Sequence, residues 1–148
     1  MKNAGIAGAV LAAVGAGLLR SGEAFAATWN KLAFSSNNIN DAMKNANYGG
    51  AIESKDIVLK VPDIAENGAI VPVEATSNIP GTTSMAFFVE KNEYPMVADF
   101  ELPGGTESYI STRIKMRQTS NVRVAVKAGG KVYMQSKEVK VTIGGCGG

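Results

Sequence analysis

The chain contains no histidine and only one cysteine among its 148 residues. The missing histidine removes the commonest general base and the commonest metal ligand together. A self-contained Cys–His catalyst or zinc site is therefore not expected, and no metal or cofactor is read from the residues. A single cysteine cannot close a disulfide within the chain. Neither sign of charge is in large excess: 15 basic and 13 acidic side chains give a net charge of +2. That balance lacks the basic footprint of a nucleic-acid binder. Long apolar runs are scarce as well. The one near the start, residues 4–19, is shorter than the roughly 20 residues that a membrane span requires.

That run is nevertheless informative. Lys2 precedes it, Arg20, Ser21, Gly22 and Glu23 break it, and Ala24, Phe25 and Ala26 follow. Small residues then stand at both positions that a signal peptidase reads. Residues 1–26 are expected to be a secretory signal peptide cut after Ala26, with an uncleaved anchor as the rival reading. The expected location is a bacterial periplasm, with no membrane span in the mature chain. In such an oxidising compartment an odd thiol points to intermolecular pairing or to a free reactive group.

Residues 27–50 read as a helical lead-in. Asn38 can cap a helix with Asp41 three residues on, Ile39, Met43 and Ala46 recur at helical spacing, and Gly49-Gly50 stops the pattern. From residue 51 the period changes to two. Ile57, Leu59 and Val61 form a first strand that Pro62 ends. Asn67-Gly68 is a tight-turn signal before Val71, Val73 and Ala75. Pro72 lies inside that second strand and marks it as an edge or bulged strand. Residues 85–90 form a third, mostly apolar strand, and Met96, Ala98, Phe100 and Leu102 alternate in a fourth. Ile110, Thr112, Ile114 and Met116 alternate with Ser111, Arg113, Lys115 and Arg117 in a two-faced fifth. Val122, Val124 and Val126 make the sixth. Gly129-Gly130 turns into the seventh, where the parity change between Met134 and Val139 suggests a bulge near Ser136. Seven short strands over residues 51–143 indicate an all-β fold, an antiparallel immunoglobulin-like sandwich with a short N-terminal helix.

The chain then reads Gly144, Gly145, Cys146, Gly147, Gly148. Glycine adds no side-chain packing and has the greatest backbone freedom. Residues 144–148 thus describe a thiol on a thin, flexible C-terminal arm. Fully extended, residues 144 to 146 reach roughly 10 Å. No Lys, Arg or His stands in this tail to lower the thiol pKa, so an activating group must come from a partner. Three readings of Cys146 remain open on the residues alone: covalent carriage of a cargo, disulfide tethering to another chain, and an incidental cysteine in a loose tail.

The ending VKVTIGGCGG, residues 139–148, resembles the C-terminus of the SoxY family, the sulfur-carrier subunit of the SoxYZ thiosulfate-oxidation complex. Residues 62–73 (PDIAENGAIVPV) look like that family's first hairpin. Residues 89–92, 95–100 and 111–116 (STRIKM) follow its general pattern. The resemblance runs from about residue 57 to the end. It implies that Cys146 is the covalent sulfur attachment point and that Gly144, Gly145, Gly147 and Gly148 form a swinging arm. The chain itself would not be an enzyme. The implied partners are SoxZ in a heterodimer, the cytochrome SoxAX, the hydrolase SoxB and, in some systems, a sulfane dehydrogenase. The family's common twin-arginine export signal has no counterpart here, where only Lys2 precedes the apolar run.

Two other classes stand beside this reading. Small sulfur-transfer proteins ending in Gly-Gly take sulfur as a terminal thiocarboxylate, and Gly147-Gly148 fits that ending. They are cytosolic and helix-containing, which the signal peptide and strand count oppose. The alternative within the exported class is a sandwich binding module that uses Cys146 for intermolecular tethering. Arg113, Lys115 and Arg117 are a candidate partner-docking face, against the plainer reading of a solvated strand face. Glu90 and Glu93 are paired carboxylates with no recognisable pocket around them.

Overall fold

The computed structural model describes residues 30–144. The chain divides into two compact units, residues 1–31 and 32–148, and nearly all described residues belong to the second. The expected signal peptide, residues 1–26, lies outside the described residues.

Two short helices come first, α1 (Lys31–Phe34) and α2 (Ile39–Asn45). The α2 N-terminus forms as its sequence suggests, with Asn38 Oδ1 accepting from Asp41 N at 2.9 Å. Its C-terminus closes earlier than the Gly49-Gly50 pair. Asn47 takes the left-handed conformation (φ 63°), Tyr48 N donates to Met43 O and Asn47 N to Lys44 O. This is a Schellman closure, and the buried Met43 and Tyr48 supply its apolar contact.

Nine strands follow among the described residues: β1 (Ile52–Glu53), β2 (Ile57–Lys60), β3 (Ile64–Ala65), β4 (Val71–Ser77), β5 (Thr82–Val89), β6 (Met96–Glu101), β7 (Tyr109–Ile114), β8 (Ser120–Ala128) and β9 (Lys131–Val141). Seven of them are the strands expected from periodicity, and β1 and β3 are two-residue additions. One sheet has the order β1-β9-β8-β5-β6, with β3 also on β9. The other has the order β2-β4-β7.

The alternating residues of both sheets meet in one core. Val71, Val73 and Ala75 of β4 pack with Met85, Phe87 and Val89 of β5 and Val122, Val124 and Val126 of β8. The opposite face of the large sheet is covered too. Ala86, Phe88, Met96 and Ala125 pack there against Ala33, Ala42, Met43, Ala46 and Tyr48. Strand β5 is therefore buried on both faces, which is why residues 85–89 form an unbroken apolar run instead of alternating. Aromatic edges key both layers: Phe87 meets Phe100 at 84° and Tyr48 meets Phe88 at 78°.

Three expectations are corrected. Strand β4 is the middle strand of its sheet, not an edge. Pro72 is tolerated because it pairs only with Arg113 of β7, while β2 pairs with residues 74–77 alone. Strand β9 has no bulge near Ser136, since its register on β8 is continuous from Ser120↔Val139 to Ala128↔Lys131. The parity change has another cause: Val132 packs on the helix side of the sheet, whereas Tyr133, Val139 and Val141 pack on the sandwich side. Finally, residues 62–73 are not a hairpin. β3 pairs in parallel with β9, and β4 lies in the other sheet.

Candidate functional site

The candidate site is the end of β9, the root of the C-terminal arm expected from the sequence. The lower part of β9 is held by β8, but beyond Val139 the partner changes. Ile64 and Ala65 of β3 run parallel to Lys140 and Val141. Lys140 N donates to Asp63 O at 3.0 Å and Thr142 N to Ala65 O at 3.1 Å. Thr142 Oγ1 donates to Glu66 O at 3.2 Å, and Val141 N donates to Thr119 Oγ1 at 2.9 Å. The last tie among the described residues is at Ile143, whose carbonyl accepts from Gly68 N at 2.8 Å. The carbonyl of Gly68 in turn accepts from Met116 N at 2.7 Å. The Asn67-Gly68 turn that makes these contacts is itself fixed, with Asn67 Oδ1 accepting from Ala69 N at 2.9 Å.

The chain is thus bound by backbone hydrogen bonds up to Ile143, and Gly144 is the last described residue. Gly145, Cys146, Gly147 and Gly148 lie outside the described residues. Three large apolar side chains are exposed on these segments. Ile143 is 67% exposed, and Ile64 and Ile70 are 58% exposed each.

The basic residues noted in the sequence separate into two positions. Arg113 is exposed on β7 opposite Pro72. Lys115 and Arg117 lie past the end of β7 and flank Met116, two hydrogen bonds from Ile143. Arg117 pairs with Glu93 at 3.3 Å, and both side chains are mostly exposed. Asn92 fastens this segment by donating to Lys115 O at 2.7 Å and accepting from Arg117 N at 3.0 Å. Glu90 accepts from Asn121 Nδ2 at 3.1 Å, so the two carboxylates serve separate local contacts. Among the described residues no group of three His, Cys, Asp or Glu is placed to hold a metal ion, and no helix is long and apolar enough to cross a membrane.

The helix side carries the strongest electrostatic perturbation. The hydroxyl of the buried Tyr48 bonds with Ser84 Oγ at 2.8 Å and Asp99 Oδ1 at 2.9 Å. Burial pushes the Tyr48 phenol well above its ordinary range. Partial desolvation also raises the Asp99 carboxyl above its usual 3.8. Lys127 Nζ sits 4.2 Å from the Tyr48 ring centroid and donates to Ala46 O at 3.0 Å, at the end of α2. This cluster fastens the helices to the sheet. The sequence pattern gave no polar role to Tyr48, nor to Thr119 or Thr142 at the arm root, and it marked Gly68 only as a turn residue. The Asn67-Gly68 turn was the one visible signal for that clasp.

A family model described as "Sulfur oxidation protein SoxY" matches residues 44–146. A search of curated proteins finds no match. Among solved structures, the chain is similar to the sulfur carrier protein SoxY from Chlorobium limicola f thiosulfatophilum. The identity is 43% and the TM-score 0.64, over 76% of this chain and 99% of that one. A superoxide reductase (neelaredoxin) from Ignicoccus hospitalis is similar at 13% identity and TM-score 0.52, over 57% of this chain and 79% of that one, which is a likeness of fold alone.

Proposed function

The chain belongs to the SoxY family of sulfur oxidation proteins, and from that premise we propose that it carries sulfur intermediates covalently on Cys146 in the periplasm. The observation that carries this reading is the arm root. The backbone is clasped through Ile143 by β3, Thr119 and Gly68, and everything after Ile143 is glycine except the single cysteine. A clasp at that point fixes where the arm starts and leaves the thiol roughly 10 Å of reach. The family match extends to Cys146 itself.

The chemistry follows from a thiol with no activating neighbour in the arm. A haem partner of the SoxAX kind joins the thiol to thiosulfate: the thiol proton and two electrons leave, and a Cys–S–S–SO3⁻ adduct forms. A hydrolase of the SoxB kind adds water across the S–SO3 bond, releasing sulfate and leaving a persulfide on Cys146. A sulfane dehydrogenase, where present, oxidises that remaining sulfur. This chain contributes the attachment atom, its reach, and a narrow approach made by Gly144, Gly145, Gly147 and Gly148. The enzymes supply the redox and hydrolytic groups. SoxZ is the proposed heterodimer partner, and Lys115 and Arg117 beside the root, with Arg113 further along, form the proposed docking face.

Peptide mapping tests the attachment. Protein isolated from its native host during thiosulfate oxidation is digested after Lys140, and the fragment 141–148 is sequenced by mass spectrometry. The added sulfur is expected on Cys146. Sulfur on the carboxyl of Gly148 would move the protein to the thiocarboxylate class, and only a Cys146 disulfide to another chain would favour tethering.

A further inference from the structure

Strand β8 sends Val122, Val124 and Val126 into the sandwich core and turns Arg123, Ala125 and Lys127 toward the helices. The two cations on that face have different surroundings. Lys127 is fully used, with a carbonyl and an aromatic ring as partners. Arg123 is half-buried, and its contacts are poor. Its Nη1 lies 3.2 Å from Met43 Sδ, a weak acceptor. Its Nε is shut off from solvent with no acceptor within hydrogen-bond reach.

Arg123 lines a cavity of about 520 Å³ between α2, the Gly49-Gly50 turn and β9. Lys44 and Asn40 line it from α2, and Met43 and Met134 supply apolar walls. Among the described residues, both charged groups in the lining are therefore cations, and no carboxylate lines it. Asp41, the acid of α2, is engaged with the Asn38 cap. A guanidinium N–H withdrawn from water without an acceptor is destabilising, and the penalty is larger for a charged group than for a neutral one. That Nε lies out of reach of an anion in the cavity, but a tetrahedral oxyanion there gives the guanidinium Nη groups a far better partner than Met43 Sδ, and Lys44 adds a second charge.

We infer that the Arg123–Lys44 cavity binds a small tetrahedral oxyanion of the sulfate, thiosulfate or phosphate class. Arg123 is the half-buried anchor, Lys44 the charge at the helix surface, and Asn40 an additional donor. The site does not depend on Cys146.

Isothermal titration calorimetry on the full chain carrying Cys146→Ser tests it without arm chemistry. Sodium sulfate, thiosulfate and phosphate are titrated separately at fixed pH and ionic strength, with chloride as background. Saturable one-to-one binding of at least one of the three is expected, and which one binds tightest identifies the source of the ligand. Arg123→Met is expected to weaken that binding about tenfold or more, the loss that accompanies a charged hydrogen bond. Lys44→Gln weakens it several-fold, and Lys60→Gln, on the other sheet, leaves it unchanged. Arg123→Lys, which keeps charge but not the fork, falls between wild type and Arg123→Met, and it replaces that variant should Arg123→Met fail to fold. Lack of saturation by all three anions up to about 10 mM, a range that still detects millimolar sites, overturns the inference. So does binding that Arg123→Met and Arg123→Lys leave intact, or that Lys60→Gln weakens equally.

Discussion

At the scale of single residues, the account rests on the contrast between one thiol and the glycines beside it. If enzymes admit Cys146 through a narrow opening, width and freedom matter as much as reactivity. Gly145→Val adds a branched side chain and restricts the backbone. Its rate with a small alkylating reagent should stay near the wild-type value, while turnover by the partner enzymes should fall strongly, with Gly145→Ala between. Equal partner turnover for wild type and Gly145→Val would make the glycines incidental. On the helix side, Tyr48→Phe removes the hydroxyl that joins Ser84 and Asp99, and chemical denaturation should register a loss of about 1 kcal/mol. Asp99 adds a pH dependence. Its carboxyl is raised in the fold, first by desolvation, so the folded state disfavours its charged form. The stability linked to this group is full below its ordinary 3.8 and declines as pH rises through the higher folded value. Asp99→Asn should flatten the melting temperature against pH in that window. An unchanged slope would mean that other carboxylates control it.

At the scale of elements, the clasp on β9 holds the backbone through Ile143, three residues before Cys146. Thr119→Val keeps the side-chain shape but takes away the acceptor for Val141 N. A loss of about 1 kcal/mol is expected, with faster amide exchange at Val141 and Thr142 than in wild type. Exchange that stays slow there would show that β3 alone holds the root. The main strands were legible because period-two alternation follows directly from having one buried face. Ile110 to Arg117 read cleanly for that reason, and the Asn38 cap was visible because its geometry is local. Strands β1 and β3 were not legible, since two residues carry no period and their pairing with β9 spans more than seventy positions. The Ser136 parity change misled because β9 packs on both faces, which a pattern along one strand cannot report. Cys146 stands out by composition as the chain's one cysteine, whereas the Gly68 contact with Ile143 is non-local and has no signature in sequence.

At the scale of the whole molecule, the large sheet is covered on one face by the second sheet and on the other by the helices. Its exposed elements are therefore edges and loops. Among the described residues, strand β6 at one end of the large sheet, and β2 and β7 in the smaller sheet, have a strand neighbour on one side only, and such edges are the surfaces a small sandwich uses for a neighbouring chain. Co-expression with a SoxZ-type partner should yield a one-to-one complex by light scattering at micromolar concentration, and a purely monomeric elution would count against it. The central claim is carriage on Cys146, and the most direct measurement is intact mass before and after reductant. Wild type and Cys146→Ser are purified from the native host during thiosulfate oxidation. The account predicts reductant-labile mass additions on wild type only, with matching melting temperatures for the two proteins. The same additions on Cys146→Ser would contradict it.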